Sequence, residues 1–536
     1  MKVRGDILRT YQKVHTWTGI IAGLVLFIGF YAGALTMFKP AFESWATPPE
    51  QKLHQIPANK LDELIRLAVQ DNKHLEKGFK VNFADDQSPL TWFEKGGGRG
   101  LQLENREVHA TLSDKGELVT VAANSNELGA LIDHLHRTAG IVGKVGHEDL
   151  GVLILGVAAV LYFIALVSGV IFLLPTLAKS FFAVRGNKGA SRFWLDSHNL
   201  IGIISLPFHI VIAWTVVVFA FHDPFYGGLQ AVYGDKPLFE RGKPSEITYS
   251  IKDLPSITEY QLKAKKLAPE YTLTGLDFAR LTTKSPSLAM EIVSDNKMMR
   301  GGYTDIIYMN PYTMAIEFTT VNEADNHYGP IVKTFFGLHF GNYAGTFGRW
   351  IYFIFGILGA FLFYSGNLLW LEKRRQKQKE QSKSSVFMAN LTVGVCLGSI
   401  FGVITAILLT KWFYLITDNI NDYYLATYYT VFFLSIGYAF SRGAPIAAIH
   451  LQKLLAVTCI AIPTTSIIGY LLPNLALWTT LNSDTKTIDF MAIVFALIFW
   501  KAAQKTKQRA LYGEQNSIWK IQVIDKPDAQ LSSSKA

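Results

Sequence analysis

The chain has 536 residues, half of them hydrophobic and 17% charged, with a formal net charge of +9 and a mean hydropathy of +0.21. This excludes an ordinary soluble protein and places the chain among polytopic membrane proteins; the basic excess flanks apolar runs, so it reads as positive-inside bias and not as a nucleic-acid surface. The two cysteines, Cys396 and Cys459, both lie in apolar runs, which leaves no support for a disulfide framework, an iron–sulfur cluster, a zinc–thiolate site or a CxxCH haem attachment.

In chain order, a basic start (Lys2, Arg4, Arg9, Lys13) leads into a first apolar run, Trp17 to Met37, within residues 1–39. It is too long for a signal peptide and Phe38-Lys39-Pro40 is a poor cleavage site, so it is expected to be a retained helix. Residues 40–147 are expected to form an α+β insert, with a helix at 61–70 and strands at 80–85, 89–94, 101–105, 107–112 and 117–123. Gly96-Gly97-Gly98-Arg99-Gly100 reads as a hairpin turn, since it lacks a GxGxxG pattern and a βαβ setting. Residues 148–221 hold a second run (Leu150 to Leu174), a basic link (Lys179, Arg185, Lys188, Arg192) and a third run, Arg192 to Phe221.

Residues 222–346 repeat the pattern of the first insert: a helix near 256–267, then strands including 288–294, 305–310 and 315–321. A fourth run, Trp350 to Leu371, lies in 347–376. Four more follow within 387–503, near 387–410, 424–441, 451–473 and 488–501, and 504–536 reads as a polar, disordered cytoplasmic tail. Six of the runs reach the 20 residues or so needed to cross a bilayer, and runs six and eight are short. Lys and Arg are dense after runs two, four, six and eight, so both termini are expected in the cytoplasm and both inserts outside. The expected fold is a polytopic α-helical protein of about eight transmembrane helices with two α+β inserts.

Two phrases occur twice. His15 precedes Gly19-Ile20-Ile21 as His198 precedes Gly202-Ile203-Ile204, and Leu135-His136 matches Leu338-His339. The first four helices are therefore a twofold internal repeat, which places His15 with His198 at one membrane face and His136 with His339 at the other. Two neutral imidazoles from different helices are what a six-coordinate b-type haem needs, and two such haems would make an electron path across the bilayer. A lone histidine at a membrane end is ordinarily an interfacial residue; four at matched sites, paired by face, carry the haem reading. Few membrane carboxylates accompany them, which disfavours a proton relay.

His209 lies about 16 Å further along the face of His198, but its repeat counterpart is Leu26, so symmetry argues against it as a ligand. His134 faces elsewhere, while His54, His74, His109, His147, His222, His327 and His450 read as loop or surface residues. Arg9 and Arg192 on one face, and Arg137 and Arg349 on the other, are placed to meet haem propionates, though each also suits an interfacial anchor.

The segments HTWTGIIAG, LHRTAG, WLDSHNLIG and LHFGNYAG, with Ser168-Gly169 and Ser365-Gly366, resemble the PepSY-associated transmembrane helix proteins over residues 1 to about 376. The resemblance implies a bacterial inner-membrane, multi-pass protein with PepSY-like domains between helices one and two and between three and four. It also implies a link to iron uptake. Some members resemble ferric-siderophore reductases with two b haems, whose histidines would map onto His15, His136, His198 and His339.

The expected function is then reduction of a ferric siderophore on the outer side. No Rossmann or flavin motif is present, so a quinol or a separate reductase would be the donor. A rival reading is a non-enzymatic regulator of a peptidase, or a ligand sensor; a transporter is disfavoured by the lack of a broken, polar midplane site in the first four helices. Met298-Met299-Arg300-Gly301-Gly302-Tyr303 reads as a solvent-facing hairpin.

Overall fold

The computed structural model describes residues 4–97, 100–177, 185, 190–234, 247–321, 329–378 and 380–521. The expectations for Gly98, Arg99, Lys179, Lys188, His327 and the tail beyond residue 521 lie outside them.

The first long helix, α1 (Gly5–Thr36), carries the first apolar run and begins well before it. A short α2 (Lys39–Ala46) follows, then α3 (Leu61–Asp71), strands β1 (Gly78–Asn82), β2 (Leu90–Lys95), β3 (Arg106–Leu112) and β4 (Leu118–Asn124), and α4 (Leu128–Thr138). A two-stranded hairpin, β5 (Lys144–Val145) and β6 (Glu148–Asp149), leads into α5 (Leu150–Leu173). The expected strand at 101–105 does not form; Asn105 instead turns its side chain onto Gly97 N and Glu127.

Run three is two helices, α6 (Ala190–Ile204) and α7 (Leu206–Tyr233), and not one. Pro207 has no N–H to donate to Ile203, and the Ser205 hydroxyl bonds back to Ile201 O at 2.6 Å, so the ladder breaks there. The second insert contributes α8 (Ile257–Leu267), β7 (Thr272–Ala279), β8 (Ser287–Val293), β9 (Asp305–Met309), β10 (Ile316–Thr319) and α9 (Gly329–Phe340) before α10 (Gly345–Gln376).

The two inserts share one antiparallel sheet, ordered β10-β9-β8-β7-β1-β2-β3-β4. They join where β1 pairs with β7, Gly78 opposite Ala279 and Asn82 opposite Gly275. Phe79 and Phe278 stack across that seam at 4.7 Å, and both amphipathic helices, α3 and α8, pack into the same core beside Leu64, Trp92, Tyr260 and Met290. Ser256 and Glu259 form a capping box on α8, and Asp62 of α3 accepts from Ile257 N at 2.9 Å, which ties the two helices together.

The last four helices are α11 (Lys383–Phe413), α12 (Asn421–Arg442), α13 (Ala444–Leu471) and α14 (Ser483–Tyr512). Among the described residues seven helices are long and apolar enough to cross a membrane: α1, α5, α7, α10, α11, α13 and α14. The expected run missing from these seven is the sixth, α12, whose Tyr423, Tyr424, Tyr428 and Tyr429 dilute its apolar character. α14 runs past residue 503 to Tyr512, and Ile518 and Trp519 beyond it are buried against α11 and α13; this part of the expected tail is therefore ordered. Ser517 donates to Glu372 at 3.0 Å, fixing the segment to the end of α10. Both inserts leave the same end of the helices, so the sheet stands at one end and the tail segment at the other.

Candidate functional site

The repeat brings the four histidines together as two pairs. At the end away from the sheet, the ring centres of His15 on α1 and His198 on α6 lie 6.4 Å apart. At the sheet end, those of His136, in the last turn of α4, and His339, in the last turn of α9, lie 6.1 Å apart.

Every one of the four rings is held through Nδ1. His15 meets Ala165 O and His136 meets Gly29 O, each at 2.8 Å. A carbonyl only accepts, so Nδ1 donates in both. His198 meets the Ser365 hydroxyl at 3.1 Å and His339 the Thr215 hydroxyl at 2.8 Å. Those hydroxyls give their own protons to Leu362 O and Val211 O, so they too accept from Nδ1. All four imidazoles are thereby set as the tautomer whose free lone pair is on Nε2. An outer partner on the far ring nitrogen is the usual way a protein orients a metal-binding histidine.

Glycines let the rings lie close to neighbouring helices. A Cβ at Gly33 would stand 2.6 Å from His136 Nδ1, and one at Gly169 2.8 Å from His15 Nδ1. His136 and His339 also line a cavity of about 1070 Å³, walled by Phe30, Tyr162, Phe219 and Phe336 among others. These features fit a bis-imidazole haem. Metal–nitrogen bonds of about 2 Å, with the ring radii added, put the centres of two axial imidazoles roughly 6 Å apart, and the sheet-end cavity has the size and aromatic walls of a cofactor site.

His209 joins neither pair. It is wholly buried on α7, neither ring nitrogen has a hydrogen-bond partner among the described residues, and its ring packs on Phe30, Tyr162 and Phe208. It thus lacks the held Nδ1 that marks the other four.

The arginines divide. Arg192 bonds Asp196 at 3.1 Å, which also takes Arg185 at 2.9 Å, and Arg9 is exposed. Arg137 and Arg349 both line the sheet-end cavity, the first paired with Asp133 at 3.1 Å, the second over the Tyr303 ring at 5.0 Å.

Arg300 was not singled out by the sequence. It lines the cavity between the rings of Phe318 and Phe336, at 5.2 and 5.4 Å. The loop that carries it is not a solvent-facing hairpin. Asn342 donates to Met299 O, and Met298 lies so close over Gly337 that a Cβ there would clash with its side chain. Burial pushes the Tyr303 hydroxyl well above its ordinary pKa and keeps it a donor, to Thr36 O. The unusual run of residues was the available signal; the clamp onto α9 was not legible. His222, expected at the surface, also lines this cavity.

Taken together, the apolar helices, the joint sheet and the paired histidines define a polytopic helical membrane protein with a repeat-built, histidine-lined core. The chain belongs to the PepSY-associated TM region family, whose profile matches residues 12–373. A search of curated proteins found no match to the chain.

Proposed function

We propose that the protein is a di-haem b electron-transfer protein that reduces ferric iron, held as a siderophore complex, on the side where the sheet stands. The observation that carries this reading is the common hold on the four histidines, each fixed through Nδ1 and paired at 6.1 or 6.4 Å. His15 and His198 would hold one haem, His136 and His339 the other; haem bound there supplies a one-electron iron couple.

The chain's own residues do the rest. Ala165 O, Gly29 O, Ser365 and Thr215 set the tautomers, and Phe30, Tyr162, Phe219 and Phe336 give the sheet-end cavity aromatic walls. Arg300 and Arg349 place positive charge on its wall, suited to propionates or to an anionic chelate. A quinol or a separate reductase is the proposed donor. Arg4, Arg9, Arg192 and the Lys373-Arg374-Arg375 cluster gather at the end away from the sheet, which supports a cytoplasmic location for that end and for both termini, in a bacterial inner membrane.

The test is a dithionite-reduced minus oxidised spectrum of the purified protein with a pyridine haemochrome count. Two b haems per chain are expected. Protein that holds no haem after expression with ample haem supply would end the reading and leave a non-enzymatic peptidase regulator or ligand sensor in its place.

A further inference from the structure

Among the described residues, one cluster of metal-ligating groups lies outside the four histidines. Glu148 of β6 meets His222 and Asp223 of α7, and one ligand atom from each lies within 4.8 Å of the other two. Two neighbouring residues of α7 and one residue 74 positions earlier thus converge on one point. Glu148 and His222 also line the cavity that holds His136 and His339.

The hydrogen bonding of His222 points to a cation. Its Nδ1 donates to Phe219 O at 2.7 Å, so the neutral ring carries its lone pair on Nε2, which stands 3.2 Å from Asp223 Oδ1. A neutral ring so held turns its Nε2 toward the two carboxylates, and the three groups together make a one-nitrogen, two-carboxylate donor set of the kind that binds a divalent cation. The carbonyl of Phe219 plays the orienting part that Ala165 O and Gly29 O play for His15 and His136. The Phe219 ring packs on His339 at 4.9 Å, so one residue touches both the triad and the sheet-end pair.

We propose that Glu148, His222 and Asp223 form a site for a divalent first-row transition ion, and that its occupant is ferrous iron leaving the cavity. The second clause rests on the ferric-reductase reading; the first does not. One imidazole nitrogen and two carboxylate oxygens, with further positions open to water, suit Fe(II), Mn(II), Co(II) or Zn(II). An oxygen-rich ferric chelate holds Fe(II) less strongly than Fe(III), so reduction frees an ion that this site on the cavity wall would take up. The step proposed is binding alone and transfers no electron.

The experiment uses the full chain in detergent, stripped of metal with a chelator and titrated anaerobically with Co(II), read by visible absorption and equilibrium dialysis. The haem spectrum and the thermal unfolding midpoint are recorded on the same samples. One Co(II) per chain is expected, competed off by an excess of Fe(II), with affinity about tenfold or more weaker in His222→Ala and in Glu148→Gln/Asp223→Asn at an unchanged midpoint. Asp223→Asn alone, at an exposed position, serves if the double variant does not fold. A protein that takes up no Co(II), or takes it up equally in these variants, overturns the site and leaves an imidazolium ion-paired between two carboxylates. Co(II) uptake without haem keeps the cation site and rejects the ferrous assignment with the reductase reading; haem without Co(II) uptake keeps the reductase reading and rejects the site together with its ferrous assignment.

Discussion

In the first half of the repeat, His15 and His136 rest Nδ1 on main-chain carbonyls, and glycines lie directly beneath the rings. In the second half, His198 and His339 rest on the hydroxyls of Ser365 and Thr215, and a Cβ at Gly366 would stand at an ordinary 3.4 Å from His198 Cε1. A carbonyl acceptor belongs to the neighbouring helix itself, so the ring must come close to that backbone and only glycine leaves room. A hydroxyl reaches out from the helix and relaxes the spacing. The first half is therefore strict in shape and the second strict in side-chain chemistry, although both set the same tautomer.

The largest effect should ignore this difference. Under the haem reading, His136→Ala and His339→Ala each remove one axial partner at the sheet end, and either should cut the haem content to about half, as His15→Ala and His198→Ala should at the other end. Pyridine haemochrome counts would check it. Loss confined to one half of the repeat would mean that the pairs are not symmetric ligand sets.

Acid should separate the two inserts. His109 on β3 is held down to about 4, from an ordinary 6.5, first by burial and then by Lys52. Its stabilising contribution is complete above pH 6.5 and is lost as pH falls from 6.5 towards 4, by up to about 3 kcal/mol. Glu107 beside it, pushed up by burial, works in the opposite sense. The described strands of the second insert carry no histidine. His109→Gln should therefore flatten the acid limb of thermal unfolding curves between pH 6.5 and 4, and an unchanged limb would place the sensitivity elsewhere.

The apolar runs and the four histidines were legible because each is a local pattern: about 20 apolar residues, a histidine a fixed step before Gly-Ile-Ile, or a repeated Leu-His. The seam between the inserts was not. β7 changes phase at Gly275 within TLTGLDFA, between Leu273 and Leu276, which breaks the alternation that marks a strand, and its partner β1 lies in the other insert. The break at Ser205 was hidden because Pro207 sits inside an unbroken apolar run. The hydroxyl partners could have been suspected from Ser365, but Thr215 looks like any membrane threonine until α9 folds against α7. Glu148 and His222 are far apart in sequence, and only the cavity brings them together.

Glycine replacements test the claim of shape. Gly33→Ala puts a methyl 2.6 Å from His136 Nδ1, and Gly169→Ala one 2.8 Å from His15 Nδ1. Each should cost about 1–3 kcal/mol by overpacking, or displace the ring. Gly366→Ala, on the roomier second half, should be tolerated. Equal damage from Gly366→Ala, read as thermal midpoint and haem content, would erase the distinction between the halves.

The subtlest prediction concerns the hydroxyls, because they alone can be removed without touching the backbone. Thr215→Val keeps the shape of the side chain and deletes the oxygen that accepts from His339 Nδ1. The buried N–H then lacks its partner, at a cost of about 1–3 kcal/mol, and the ring is freer to turn Nε2 away from the cavity. Under the haem reading, haem at the sheet end should be held about 10-fold to 100-fold less tightly, and its midpoint potential should move. Thr215→Ser restores an acceptor at the same place and should recover both. Ser365→Ala should weaken the pair at the other end in the same way. If Thr215→Val changes neither retention nor potential, packing alone orients His339, and the carbonyls of the first half are then an accident of close helices with no orienting role.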